Sequence, residues 1–238
     1  MNWLYLSLII GASAIPILYS FHPKMRLVEQ WPAIFSAITI TAIIFILWDY
    51  SFTKNQIWGF NENYHLPFII LGMPVEEWLF FWLIPYPSLF IHYSIQYFKP
   101  SWILPPLVTK SITWILLLGI TTLLLGNLDR TYTVINFSLA ITLLIYGIIL
   151  DYESLSRFWI SYLIVLIPFV VVNGVLTGVA TPEPIVWYNN NENLRVRFLT
   201  IPIEDFIYTF NMLYLSLLLI PKFRVLYKSR ELRIKTPQ

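Results

Sequence analysis

Apolar residues run along this chain in long blocks, separated by short polar or proline-rich intervals. Seven blocks stand out, at about 2–20, 31–49, 75–97, 111–126, 133–150, 159–179 and 201–221. A run of roughly 20 apolar residues crosses the hydrocarbon core as a helix, because every backbone group must be satisfied within the segment. The pattern therefore predicts an all-α membrane protein of seven transmembrane helices, with short loops and no room for a soluble domain. Composition agrees: 58% of residues are hydrophobic and 12% charged, against about a quarter charged in a soluble domain. The first block has no basic flank and no clear cleavage site, so it reads as a retained span, not a signal peptide. The chain has no cysteine, which excludes disulfide and thiol chemistry. A net charge of +2, with the basic residues at span ends, implies no nucleic-acid partner.

Lysine and arginine are unevenly divided between the two ends of the spans. Lys54, Arg130, Arg195 and Arg197 fall on the N-terminal side, and the other eleven of the fifteen on the opposite side. The positive-inside tendency then places the C-terminus in the cytoplasm and the N-terminus outside.

The chain also repeats itself. "WDYSFT" (48–53) sets Asp49 and Thr53 four apart, and "VNGVLT" (172–177) does the same with Asn173 and Thr177. "IWGFN" (57–61) is echoed by "VWYN" (186–189), and Pro-Val-Glu-Glu (74–77) by Pro-Ile-Glu-Asp (202–205). Each half holds three spans, and the fourth span joins them. Its presence makes the fifth span enter the membrane in the same direction as the first. The halves are then parallel repeats, related by a pseudo-two-fold along the membrane normal. Expected units are a first repeat over 1–98, a linker with the fourth helix over 99–132, and a second repeat with a basic tail over 133–238. The proline-rich "FKPSWILPPLVTK" (98–110) is the expected hinge.

The acid pairs Glu76–Glu77 and Glu204–Asp205 are the chemistry of the sequence. Pro74 and Pro202 are expected to start the third and seventh helices, since proline is favoured in a first turn. The plainest role for the acids is then to cap helix N-termini at the interface. Two features favour a site instead: the apolar "HLPFIILGM" (65–73) just upstream, and the duplication of the pair. Intramembrane acids cost roughly 2.5–3.5 kcal/mol or more and mark function by default. Burial and a neighbouring acid favour the neutral carboxyl, the arrangement for a general acid and a general base on one substrate. Both halves keep Glu at the first acidic position. Glu76 and Glu204 are therefore expected to carry the stricter role, as proton donor and acceptor in unassigned order.

Aromatic residues follow each pair: Trp78, Phe80, Phe81 and Trp82, then Phe206, Tyr208 and Phe210. Each can serve packing or lipid contact, yet aromatic faces also attract cations, by up to about 2 kcal/mol when desolvated. A dry pocket of acids and aromatic walls suits a reaction that passes through a carbocation. Asp49 and Asn173 are weaker candidates for the same site, each able to cap the loop after its helix, and Thr53 and Thr177 can bond locally. Trp58 and Trp187 read as interface anchors. His92 has no ligand partner nearby, so no metal site is expected, and no nucleotide-binding motif is present.

Taken together, the Pro-x-Glu-(Glu/Asp) motifs, the Trp-Asp-x-x-x-Thr run, the Trp-Gly-Phe and the tandem three-span halves resemble the heterodimer-type lycopene cyclases. These are small membrane enzymes of carotenoid synthesis, often made as two three-span subunits, and this chain looks like a fused form. It departs in having Asn173 where the first half has Asp49. The resemblance implies that a carboxylic acid protonates C2 of lycopene and leaves a cation at C1. The C5–C6 double bond then closes a ring, and a base removes the C6 proton to give a β-ionone ring. Nothing is oxidised or reduced, so the stoichiometry needs no redox cofactor; a reduced flavin as a non-redox aid stays open. The implied partners are lycopene, membrane lipid and other carotenoid-pathway membrane enzymes. The polyene is expected to extend between the third and seventh spans.

Two rival classes fare worse. A retinal photoreceptor needs a mid-membrane lysine, and all seven lysines sit at span ends or in loops. A proton-coupled transporter needs a polar path across the membrane, whereas these acids cluster toward one side. Within the family, a cyclase of a C50 carotenoid or one making ε-rings is the nearer alternative.

Overall fold

The structure, a computed structural model, describes residues 3–235, with side chains as far as Ser229. Asn2, in the first expected span, and the side chains of Arg230, Arg233 and Lys235 in the basic tail lie outside the described residues. The helices are α1 (Leu4–Tyr19), α2 (Trp31–Lys54), α3 (Val75–Leu83), α4 (Pro85–Phe98), α5 (Pro106–Leu125), α6 (Thr131–Leu150), α7 (Tyr152–Leu176) and α8 (Ile203–Lys235). α3 and α4 follow one another as a single broken span, so the eight pieces correspond to the seven expected spans. Among the described residues, five segments are long and apolar enough to cross a membrane unaided: Leu27–Lys54, Pro106–Leu125, Thr131–Leu150, Tyr152–Leu176 and Ile203–Ser229. The protein is an all-α membrane protein built from two parallel three-helix repeats, α1 to α4 and α6 to α8, joined through α5.

The helix limits depart from the apolar blocks for local reasons. The third span breaks at Pro85, because prolines 85 and 87 lack the N–H groups that would continue the ladder. α5 begins at Pro106, where a proline in the first turn is no loss. α7 begins at Tyr152, earlier than its apolar block, because its first turns are amphipathic: Glu153 pairs with Arg157 at 3.1 Å. α8 runs well past position 221, the end of its apolar block.

Van der Waals fit and polar contacts hold helices together where lipid is as apolar as a side chain. Ala33, Ala37 and Ala42 keep the buried face of α2 small, and α2 packs closely along α8. Ser216 on α8 donates to Thr41 on α2 at 3.1 Å, and Asn211 on α8 donates to the Asn136 side-chain oxygen on α6 at 2.8 Å. Rings of Phe158, Phe210 and Tyr214 stack in the main core.

The segments before α3 and before α8 are ordered straps that the apolar pattern did not predict. The first carries β1 (Trp58–Phe60) and a hairpin of β2 (Ile69–Ile70) and β3 (Met73–Pro74). The second carries β4 (Val186–Tyr188) and a hairpin of β5 (Arg197–Phe198) and β6 (Ile201–Pro202). Their backbone bonds correspond one for one. Tyr64 N–H donates to Asn61 at 3.1 Å, and Glu192 N–H to Asn189 at 3.0 Å. Tyr5 N–H donates to Tyr64 at 3.1 Å, and Tyr132 N–H to Glu192 at 3.0 Å. β1 and β4 pair antiparallel with Gly59 opposite Trp187 at the centre. The straps thus join the two repeats where the pseudo-two-fold passes.

Candidate active site

Each acid pair lies in the first turn of its helix, α3 or α8, immediately after the strap hairpin. All four carboxylates are buried: Glu76 and Glu204 are 0% exposed, Glu77 8% and Asp205 5%. That burial sets aside the reading of solvated helix caps at the interface.

The two members of each pair meet different partners. Neighbouring residues on a helix point about 100° apart, so one faces the strap and the other the repeat interface. Glu76 accepts the Leu66 N–H at 2.7 Å, and Glu204 accepts the Leu194 N–H at 2.6 Å. Thr133 adds a 2.8 Å bond to the same Glu204 oxygen. These two glutamates tie each strap to the helix that follows it, and neither lines the central cavity. Each of these two glutamates, expected from the sequence as donor and acceptor, also keeps a second carboxylate oxygen that is buried without a partner.

Glu77 and Asp205 do line that cavity, together with Asp49 and Asn173. Tyr5, in the first turn of α1, donates to Glu77. Tyr132, in the first turn of α6, donates to Asp205 at 2.7 Å. The halves differ at the next position. Asn173 turns its amide onto the other Asp205 oxygen at 2.8 Å, where Tyr188 also donates at 2.8 Å. Asp205 thus accepts three hydrogen bonds, and an ionised carboxylate is a pure acceptor suited to such a cradle. Asp49 instead takes one bond, from the Trp58 indole at 2.5 Å, and its second oxygen is buried with no partner. Tyr188 sits in a strap, outside the spans. Burial first, and then the charge of Asp205, push its phenol well above its ordinary range, so it stays a donor.

The cavity has a volume of about 60 Å³, and its remaining walls are mostly aromatic, including Trp58, Phe60, Phe80, Tyr132, Tyr188 and Tyr208, with Leu176, Val186 and Thr209 between them. Beside it lies an apolar groove of about 400 Å³ with a floor of α3, α4 and α8 residues and lips on α1 and α7. Phe80, Phe169, Asn173 and Thr209 border both spaces.

Helical phase also sorts the aromatic candidates. Phe80 is three residues after Glu77, and Tyr208 three after Asp205; both share the inward face and line the cavity. Phe81 is buried in the core behind it, and Phe210 stacks on Trp159 and Tyr214. Trp78 turns outward, its indole donating to Ile70 at 3.1 Å, and Phe206 packs on Phe169 and Phe198. Trp58 is not an interface anchor: it is buried and bonded to Asp49. Trp187 is half-exposed. Sequence reasoning missed Tyr5, Tyr132 and Tyr188; extending the repeat alignment upstream would have found the first two. Among the described residues, no His, Asp or Glu cluster is arranged to hold a metal ion.

The comparisons with known proteins fall on the same two halves. No curated protein and no solved structure is matched. The lycopene cyclase family model matches residues 2–95 and 129–223, leaving out the segment that carries α5. Matched over both of its repeats, the chain belongs to the lycopene cyclase family, membrane enzymes that cyclise carotenoids.

Proposed function

We propose that this protein is a lycopene β-cyclase whose site is shared by its two repeats. The observation that carries the reading is the meeting of Asp49, Glu77 and Asp205 in one aromatic-walled cavity that adjoins an apolar groove. The terminal isoprene unit of lycopene enters the cavity, and its polyene tail lies in the groove. A protonated acid transfers its proton to C2, and positive charge forms at C1. Asp49 is assigned this role, because its second oxygen is buried, unpaired and at the cavity wall.

The C5–C6 π electrons then bond C6 to C1, moving the charge to C5. Loss of the C6 proton to a carboxylate forms the C5–C6 double bond of the β-ring. Asp205, cradled by three donors, is assigned as the anion that faces the cation, with Glu77 as the base at the opposite wall. Aromatic faces around the cavity stabilise the charge in transit. The net change is an isomerisation. Removal of the proton from C4 would give an ε-ring instead, so the β assignment rests on where the base meets the ring.

Expression in lycopene-accumulating cells, with pigments separated by chromatography, tests the reading. Conversion to monocyclic γ-carotene or bicyclic β-carotene supports it; unchanged lycopene, with the protein present in the membrane, refutes it.

A further inference from the structure

The repeats pair the walls of the apolar groove with counterparts, and among the described residues those counterparts pack against one another. The open side is bordered by Ala12 on α1, Val172 on α7 and Phe80 on α3. Their repeat mates are Leu139 on α6, Trp48 on α2 and Tyr208 on α8. Each smaller residue is matched by a larger one, or by a ring that is stacked upon. Trp48 lies 5.4 Å from the Phe45 ring and 5.2 Å from the Tyr208 ring, and Phe45 lies 4.9 Å from Tyr208. Leu139 packs into the same cluster. On that side α2 packs along α8, whereas α7 meets the broken α3–α4 span through α4, and the groove opens beside Phe80 on α3. On the open side, Ile15 and Val171 at the lips are 65% and 63% exposed, where a lipid-dissolved molecule arrives.

We propose that polyene enters through the α1–α7 groove alone, because Trp48 closes its symmetry mate. Trp48 is then a specificity-determining residue: the chain keeps acids from both repeats but one doorway, and one end of a polyene is presented per binding event. The inference rests on the cyclase reading above. The open groove leads past Phe80, Phe169, Asn173 and Thr209 into the acid cavity, which commits its occupant to the substrate tail. The symmetric Trp48–Phe45–Tyr208 side backs the cavity wall against which the reacting end comes to rest.

The absence of cysteine in the chain allows a clean test on the full protein. Gly11→Cys places a thiol at the lip of the open groove, where a Cβ meets nothing within 4 Å. Ser138→Cys places one at the corresponding point of the closed side. Each variant, purified in detergent, is assayed with lycopene before and after N-ethylmaleimide, with labelling confirmed by mass, and serves as its own reference. Modification at Cys-substituted position 11 should lower conversion at least about tenfold, a barrier of about 1.4 kcal/mol, while modification at position 138 should leave it unchanged. Val172→Trp, which copies the plug onto the open side, should reproduce the loss. Equal inhibition at both positions, or full activity of labelled Gly11→Cys or of Val172→Trp, would overturn the single doorway. Wild-type protein that leaves lycopene unchanged would instead sink the cyclase reading itself.

Discussion

Gly59 lies directly beneath the indole of Trp187 at the centre of the β1–β4 ladder. A Cβ at position 59 would fall 2.3 Å from the Trp187 Cζ2 atom, so only glycine lets the two straps meet. Gly59→Ala should lower the unfolding temperature in detergent, in line with overpacking costs of about 1–3 kcal/mol. Because the obstacle is one side chain, Gly59→Ala in a Trp187→Ala background should be nearly neutral. A penalty of the same size in both backgrounds would place its origin elsewhere.

The acids should separate by helical phase. Asp49→Asn, Glu77→Gln and Asp205→Asn are expected to lose about 10²–10⁴-fold in cyclisation, the usual reach of acid–base catalysis, with the protein still inserted. Glu76→Gln and Glu204→Gln keep an oxygen for the Leu66 and Leu194 N–H groups and should retain activity within a few-fold. Glu76→Ala leaves a buried N–H unpaired, at about 1–3 kcal/mol, and should lose stability first. Pigment yield normalised to membrane protein distinguishes the two groups. Loss on Glu76→Gln with full activity of Glu77→Gln would reverse the assignment.

Much of this architecture is legible in the chain because the bilayer and the repeat both constrain it. Apolar blocks of spanning length leave few alternatives to helices, and the duplicated Pro-x-acid-acid motifs point to one site. The phase of α3 and α8 is not legible in the same way. Their sequences are apolar on nearly every face, so no periodicity distinguishes Glu76 from Glu77, or Phe80 from Trp78. Trp58 looks like an interface anchor because its partner Asp49 is brought to it by the turn after α2. The straps escape notice because their apolar residues, such as Phe68 to Leu71, resemble neither a polar loop nor a spanning helix.

Tyr188 provides a pH control. Burial and the nearby Asp205 charge raise its phenol above the ordinary value near 10, so the neutral, donating form persists as pH rises through that value. Any basic limb in the cyclisation rate should therefore be the same in wild type and Tyr188→Phe. The variant should lose about tenfold at all pH values, since bonds to charged groups contribute about 1.5–3 kcal/mol. A basic limb present only in the wild type would assign it to Tyr188 and contradict this.

The shared cavity predicts that neither repeat suffices. Tyr5, Asp49 and Glu77 come from the first, and Tyr132, Asn173 and Asp205 from the second. Residues 1–105 and 106–238, produced separately, should each be inactive with lycopene and recover activity when co-expressed. Cyclisation by the first piece alone would refute a site at the repeat interface.

The most direct measurement of proton-initiated cyclisation uses purified protein, lycopene and deuterated water, with nucleotides removed. Ring closure begun by a solvent-exchanged carboxylic acid should place one deuterium at C2 of each new β-ring, located by mass spectrometry and NMR. Asp49→Asn should leave lycopene unlabelled and unchanged. Cyclised product without deuterium at C2, or the same labelled product from Asp49→Asn at the wild-type rate, would contradict the assigned carboxylate mechanism.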